Sequence, residues 1–133
     1  MRKLNLIVVF NQNLKEALFC IRAKEPYKGL YNLVGGKIEA DNSLEEAYRE
    51  LEEETAINKK DISIEHFMDF TYIKWDMEIE VYYGVLKHDV TLVEEVNKLE
   101  WISLDENFFD MNKFAGEGNI GHMIKEIMID MEK

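Results

Sequence analysis

The stretch that most limits what this chain can become is residues 35–57, GGKIEADNSLEEAYRELEEETAI. A double glycine leads into a segment carrying six glutamates and one arginine between Ser43 and Thr55. Helical spacing sorts that segment into two stripes. Leu44, Ala47, Tyr48, Leu51 and Thr55 fall at i, i+3, i+4, i+7 and i+11, one face that other structure has to cover. Glu46, Glu50, Glu53 and Glu54 form a second face, with neighbouring Cβ atoms about 5–6 Å apart. Ser43 and Glu46 have the spacing of a capping box, which predicts a helix that starts at Ser43.

Carboxylates at that spacing repel by roughly 3 kcal/mol at an effective dielectric near 20. In open water the penalty shrinks to a few tenths of a kcal/mol, so a passive, solvated acidic face is one reading. The other places a cation among the glutamates. Arg49 is the only basic residue among them, and a strand-to-helix turn at the glycines would bring backbone carbonyls close. Carboxylate and carbonyl oxygens suit hard Mg²⁺ or Mn²⁺. No thiol lies in the segment, which argues against zinc. His66, His88 and His122 are scattered without ligand spacing and read as structural or surface residues.

The remaining sequence supplies a sheet. KLNLIVVF and EALFCIRA are apolar runs joined by NQNLK, a hairpin pattern. LYNLVGG is a short apolar segment ending in a double glycine; ISIEHFMDFTYI, MEIEVYYGVLKH and KLEWISL are further strand candidates, with DMEIEVY alternating at period two. Ile120, Met123, Ile124, Ile127, Met128 and Met131 return to helical spacing, so a second amphipathic helix is expected from Gly118 or Asn119. Together these predict an α/β fold, a mixed β-sheet between helices. The 133 residues suit a single domain spanning 1–133.

Charge and cysteine usage bound the partners. A net charge of −11 argues against holding a nucleic acid polymer through its phosphates. It would repel free polyphosphates too, unless a metal ion intervened. The single cysteine, Cys20, sits in an apolar run and reads as a buried small hydrophobe. The absence of a disulfide framework favours a reducing compartment. The N-terminal apolar run is too short to span a bilayer and lacks a cleavage site, so no membrane is expected and a cytoplasmic location is. Monomer and homodimer are both compatible with the sequence.

The segment resembles the Nudix box: glycine, five residues, glutamate, seven residues, then Arg-Glu-apolar-x-Glu-Glu-x-Gly-apolar. RELEEE, Arg49–Glu54, matches the core without a gap, and GGKIE matches the glycine end. The box, about residues 35–57, covers about a sixth of the chain, and the strand order and LEWISLDE also look like the family. Three departures stand out. The first glutamate falls at Asn42, the spacer to Arg49 is six residues, and the final glycine is Ala56, with which the helix is expected to run on. None touches Glu50, Glu53 or Glu54.

The resemblance implies a Nudix-type α/β/α sandwich with the box as loop-helix-loop, and a small MutT-like hydrolase that uses Mg²⁺ or Mn²⁺. It implies that Glu53 and Glu54 ligate the metal, with the Gly35 carbonyl and a later acidic residue, Glu95 rather than Glu94. Glu50 would be a ligand or the base that deprotonates the attacking water, and Arg49 would orient it. Glu50, Arg49 and Glu53 are thus the expected catalytic residues. Arg22 and Lys37 are candidate phosphate contacts, each also readable as a surface cation. Phe70, Tyr72, Trp75, Tyr82 and Tyr83 offer stacking surfaces, most of them expected in the core, with Tyr72 the candidate contact. Asn119 could pair with a purine edge or simply cap the last helix. The expected partner is a small nucleotide: a (deoxy)nucleoside triphosphate, oxidised ones included, hydrolysed to the monophosphate and pyrophosphate. ADP-ribose or another sugar nucleotide is the alternative. A non-catalytic nucleotide sensor is the alternative of another class.

Overall fold

Side chains that alternate along the apolar strands give the sheet two apolar faces, and one helix covers each. The computed structural model describes residues 1–133. Its elements are β1 (Arg2–Phe10), β2 (Glu16–Ile21), β3 (Tyr31–Asn32), α1 (Ser43–Thr55), β4 (Ile62–Tyr72), β5 (Met77–Leu86), β6 (Lys98–Ser103) and α2 (Asn119–Met131). On β1, Ile7 and Val9 join Leu18 and Cys20 beneath Ala47 and Leu51 of α1. Val8 and Phe10 point the other way, joining Phe19 and Val81 beneath Ile120, Met123, Ile124 and Ile127 of α2. The result is the expected α/β/α sandwich. Leu51 is fully buried, and truncating such a side chain costs about 2–5 kcal/mol.

Strand pairing opens the cleft that matters. β1 runs parallel to β5, from Arg2↔Met77 to Phe10↔Val85, and β4 pairs antiparallel with β5. β2 pairs along its length with β6. By contrast β1 and β2 are in register only at Phe10↔Ala17, next to their hairpin. Beyond that point they splay apart, and the segment after β3 crosses between them. Tyr31 and Asn32 pair with β2, and then Val34 and Lys37 bridge to Ile7 and Leu4 of β1. Gly35 and Gly36 therefore lie across β1 at the floor of the gap, tied by Asn5 N–H to Gly36 O at 2.9 Å and Ile7 N–H to Val34 O at 2.8 Å.

The helix α1 starts at Ser43 as expected, but its cap and its far end depart from expectation. The N-cap is Asn42, whose side-chain oxygen accepts from Glu45 N–H at 3.1 Å, and Ser43 is the first helical residue. The Ser43 hydroxyl instead donates to Glu80 at 3.3 Å, and the Glu46 carboxylate accepts from Glu39 N–H at 2.7 Å. So the glutamate of the supposed capping box fastens the preceding loop rather than the cap. At the other end the helix does not run on. Ala56 takes the left-handed conformation, φ 69° and ψ 6°, and its N–H donates to Glu52 O. Local sterics disfavour this by about 1–2 kcal/mol for a residue with a Cβ. It persists because Ile57 is wholly buried, its N–H donating to Thr55 Oγ1 at 3.1 Å. Leu44, expected beneath the sheet-facing stripe, is 40% exposed, since α1 meets the sheet one turn later, at Ala47.

Candidate active site

The acidic face of α1 turns toward the cleft. Glu50, Glu53 and Glu54 line one recess of about 300 Å³, and Glu95 closes it from the opposite loop. That loop is held in place by Val93 N–H on Thr55 O, at 3.1 Å, and by Leu99 N–H on the Glu94 carboxylate, at 2.8 Å. Glu94 is thus occupied within its own loop while Glu95 faces the glutamates of α1.

Arg49 organises this face more extensively than its expected pairing with Glu50. Its Nε donates to Glu46 at 2.7 Å, Nη2 to Glu50 at 3.0 Å, and Nη1 to both oxygens of Glu53 at 3.0 Å. Burial of Glu46, 6% exposed, removes water from one of these bonds. Arg49 and the Glu39 N–H hold the Glu46 carboxyl below its ordinary range, and the carboxylates push the guanidinium pKa up. Glu50 and Glu53 therefore point at Arg49 rather than at one another. Glu50, Glu53 and Glu54 share one recess, as the helical stripe predicts, but as they stand no three acidic, histidine or cysteine side chains converge tightly enough to hold a metal ion. The physical reason is that Arg49, one residue from Glu50 and four from Glu53, is the nearest counter-charge on the same helix face.

Glu54 takes no part in that network. Burial, then the charge of Glu50, pushes its carboxyl up to about 7; the Gly35 N–H and Arg22 counteract, and Glu95 adds to the rise. Burial also raises Glu50, against the pull of Arg49. The oxygens of Glu50, Glu53, Glu54 and Glu95 are those that could hold a hard cation.

The two glycines are required by close approach. A Cβ on Gly35, where φ is +152°, would sit 2.1 Å from Asn5 O. A Cβ on Gly36 would sit 2.5 Å from the Glu50 carboxylate. Gly35 was expected for its carbonyl; its backbone lies close enough to Glu54 to lower that carboxyl's pKa against the effect of burial.

A larger cavity of about 720 Å³ adjoins the recess, and Glu54 belongs to the walls of both. Arg22 and Lys37 line it beside Gly35 and Gly36, and Tyr27, Tyr72 and Trp75 line it farther along. Of the other aromatics, Tyr82 and Tyr83 are buried in the sheet and Phe70 packs against the α2-side core. Asn119 is not a wall residue. It begins α2 after the N-cap Gly118, and its amide nitrogen donates to the Tyr72 hydroxyl, which in turn donates to Gly116 O at 2.9 Å. The capping role is thus taken by Gly118, and Asn119 braces Tyr72. Sequence reasoning missed Asn5, and it set Glu46 on the acidic face without its part in tying Arg49 to the Glu39 loop. Asn5 left a trace, being the one polar residue inside the run LNLIVVF.

A mixed sheet between two helices, with a glycine turn feeding a glutamate helix at the splayed strands, is the architecture of Nudix proteins. The chain matches the NUDIX domain over residues 1–124 and belongs to that family, hydrolases of nucleoside diphosphates linked to a further group that generally use divalent metals. Among solved structures, the NUDIX domain of Shewanella oneidensis NrtR complexed with ADP ribose superposes with a TM-score of 0.75 at 19% identity, covering 97% of this chain and 87% of that one. A C. elegans Ap4A hydrolase in a binary complex gives 0.75 at 15% identity, covering 98% and 99%. A MutT/nudix family protein from Enterococcus faecalis gives 0.65 at 18% identity over 77% of this chain, which spans only 43% of that protein. At these identities the likeness is one of fold. No curated protein matches the sequence significantly. No helix is long and apolar enough to cross a membrane.

Proposed function

We propose that the chain hydrolyses a phosphoanhydride of a (deoxy)nucleoside triphosphate, oxidised ones included, releasing the monophosphate and pyrophosphate with Mg²⁺ or Mn²⁺. One observation carries the reading: Glu54 is a shared wall of the acidic recess and of the cavity with cationic and aromatic sides. A nucleotide lying in the larger cavity, its base against Tyr72 or Trp75, extends its phosphates past Arg22 and Lys37 to that carboxylate.

The donor set fits a hard divalent cation. It is all oxygen, and Glu54, with a raised pKa beside Glu50 and Glu95, lacks a bonded basic partner. Glu53 and Glu54 would hold the ion, with Glu50, the Gly35 carbonyl and Glu95 completing the site. A bound cation supplies charge neutralisation at the phosphates and a more acidic water. Arg49, released from Glu53 but still bonded to Glu46, orients Glu50, the residue that takes the proton of the attacking water. Lys37 and Arg22 hold phosphate oxygens, and Gly36 gives Glu50 room to lie against the loop.

Assaying ribo- and deoxynucleoside triphosphates, oxidised nucleotides, ADP-ribose, sugar nucleotides and dinucleoside polyphosphates for released phosphate tests this. Monophosphate and pyrophosphate should appear with metal and drop about 10²–10⁴-fold in Glu50→Gln, with a comparable loss in Glu53→Gln. ADP-ribose turnover ahead of triphosphates would move the assignment to the sugar-nucleotide class. Tight binding without turnover by the wild type would make the protein a sensor.

A further inference from the structure

One buried polar side-chain atom in the molecule has no hydrogen-bond partner: Nδ2 of Asn5. Asn5 is 1% exposed, yet it forms part of the wall of the large cavity. Its orientation is dictated by chemistry. Oδ1 accepts from Gly36 N–H at 2.9 Å, so the amide cannot turn over without losing that bond. Asn5 N–H donates to Gly36 O, which holds the residue against the glycine turn from both sides. The amide nitrogen is the end left over. Leaving such a donor unsatisfied costs about 1–3 kcal/mol, and an apolar residue there would avoid the penalty.

We propose that Asn5 is a substrate-binding residue whose amide donates to an oxygen of the nucleotide's sugar–phosphate portion. The inference rests on the cavity being the nucleotide site. Asn5 lies opposite Gly36, next to Lys37, at the end of the cavity that reaches Glu54. The aromatic side lies elsewhere: β1 and β5 pair Arg2 with Met77, which in turn pairs with Tyr72. Three residues of strand separate Arg2 from Asn5, about 10 Å. That spacing sets the amide beyond the base and beside the sugar or the first phosphate. There the acceptors of a nucleotide are hydroxyl and phosphoryl oxygens, and a neutral donor adds to the cations without competing for the metal.

Two near-isosteric replacements separate binding from structure. Asn5→Thr keeps a hydroxyl that can accept from Gly36 N–H and donate to the ligand, whereas Asn5→Val does neither. Expected for Asn5→Val are a KM about tenfold higher, kcat within twofold, and a melting temperature of the ligand-free protein lowered by no more than about 4 °C, because the lost Gly36 N–H bond is offset by removal of the unsatisfied Nδ2. Asn5→Thr should stay within threefold of wild type in KM. Competition by AMP, GMP, CMP or UMP, by the matching nucleosides, and by inorganic pyrophosphate locates the acceptor. Weakened inhibition by nucleosides marks the sugar; weakened inhibition by monophosphates alone marks the phosphate attached to it. Unchanged inhibition by all of them overturns the proposal.

The proposal also fails if Asn5→Val keeps the wild-type KM, or if Asn5→Thr is as impaired as Asn5→Val. Should Asn5→Val not fold, wild-type protein decides. The Asn5 side-chain amide NMR signal should shift on adding the monophosphate that inhibits best, and an unmoved signal refutes the contact. A wild type inert toward every nucleotide would instead sink the proposed function itself, so the two failures are distinguishable.

Discussion

Gly36→Ala probes the site with one methyl group. The new Cβ would lie 2.5 Å from Cδ and Oε2 of Glu50 and 2.8 Å from Oε1, where ordinary contact begins near 3.4 Å. The carboxylate has to retreat by 3.4 − 2.5 = 0.9 Å. It is the end of a flexible side chain, so the backbone need not follow, and the melting temperature should stay within about 2 °C of wild type. Chemistry is less tolerant. A misplacement of about 1 Å in a catalytic group costs about 10²-fold, close to 2.7 kcal/mol of barrier. Steady-state phosphate release with Mg²⁺, beside a thermal melt, should show kcat down about a hundredfold with stability intact. Gly35→Ala is the internal contrast: its Cβ would meet the Asn5 carbonyl at 2.1 Å, a backbone atom that cannot swing away, at a φ of +152°. Overpacking against backbone should cost about 3 kcal/mol and lower the melting temperature by about 10 °C. Wild-type kcat in Gly36→Ala would refute the placement of Glu50 at the reacting atoms. A Gly36→Ala protein as unstable as Gly35→Ala would refute the reasoning that a side chain, not the loop, yields.

Three further outcomes follow from particular residues. Ala56→Gly should stabilise the fold by about 1 kcal/mol, because glycine adopts the left-handed C-cap freely; a lower melting temperature would count against that cap. Asn42→Ala removes the side-chain oxygen that receives Glu45 N–H and should cost about 1 kcal/mol, a drop of about 4 °C on thermal melting. The Glu54 carboxyl is raised to about 7, above its ordinary value of 4.5, so the folded state favours the protonated form. Its contribution is fully present below pH 4.5 and is lost as pH rises through 7. Metal-free protein should lose stability between about pH 5 and 8, and Glu54→Gln should flatten that slope. Metal affinity should run the opposite way, about tenfold weaker at pH 6 than at pH 8 as the ligand becomes protonated.

Much of the molecule is written locally. The apolar run of β1, the period-two run of β5, the helical stripe of α2 and the run Arg49–Glu54 are short-range patterns, and each lies where the sequence alone puts it. Spacing on one helix was enough to set Glu50, Glu53 and Glu54 on a common face, because a helix carries its own geometry. The C-terminal end of α1 was misread for the converse reason. Whether Ala56 turns left-handed depends on Ile57 being pulled into the core from the far side of the chain, which no propensity of alanine records. Arg49 was assigned one partner and has three, Glu46, Glu50 and Glu53 of its own helix; the spacing allowed all of them, but only the folded loop, through Glu39 N–H on Glu46, buries and fixes that network. The role of Asn5 likewise came into view only with its strand. The sequence by itself determined which residues could repeat at 2.0 and 3.6, and so the layers of the fold and the line of acids. Tertiary structure alone decided what faces them: splayed β1 and β2, a glycine turn in the gap, and a loop that carries Glu95 across the recess. Those are contacts between segments dozens of residues apart, whose energy depends on burial that a local stretch of chain does not possess.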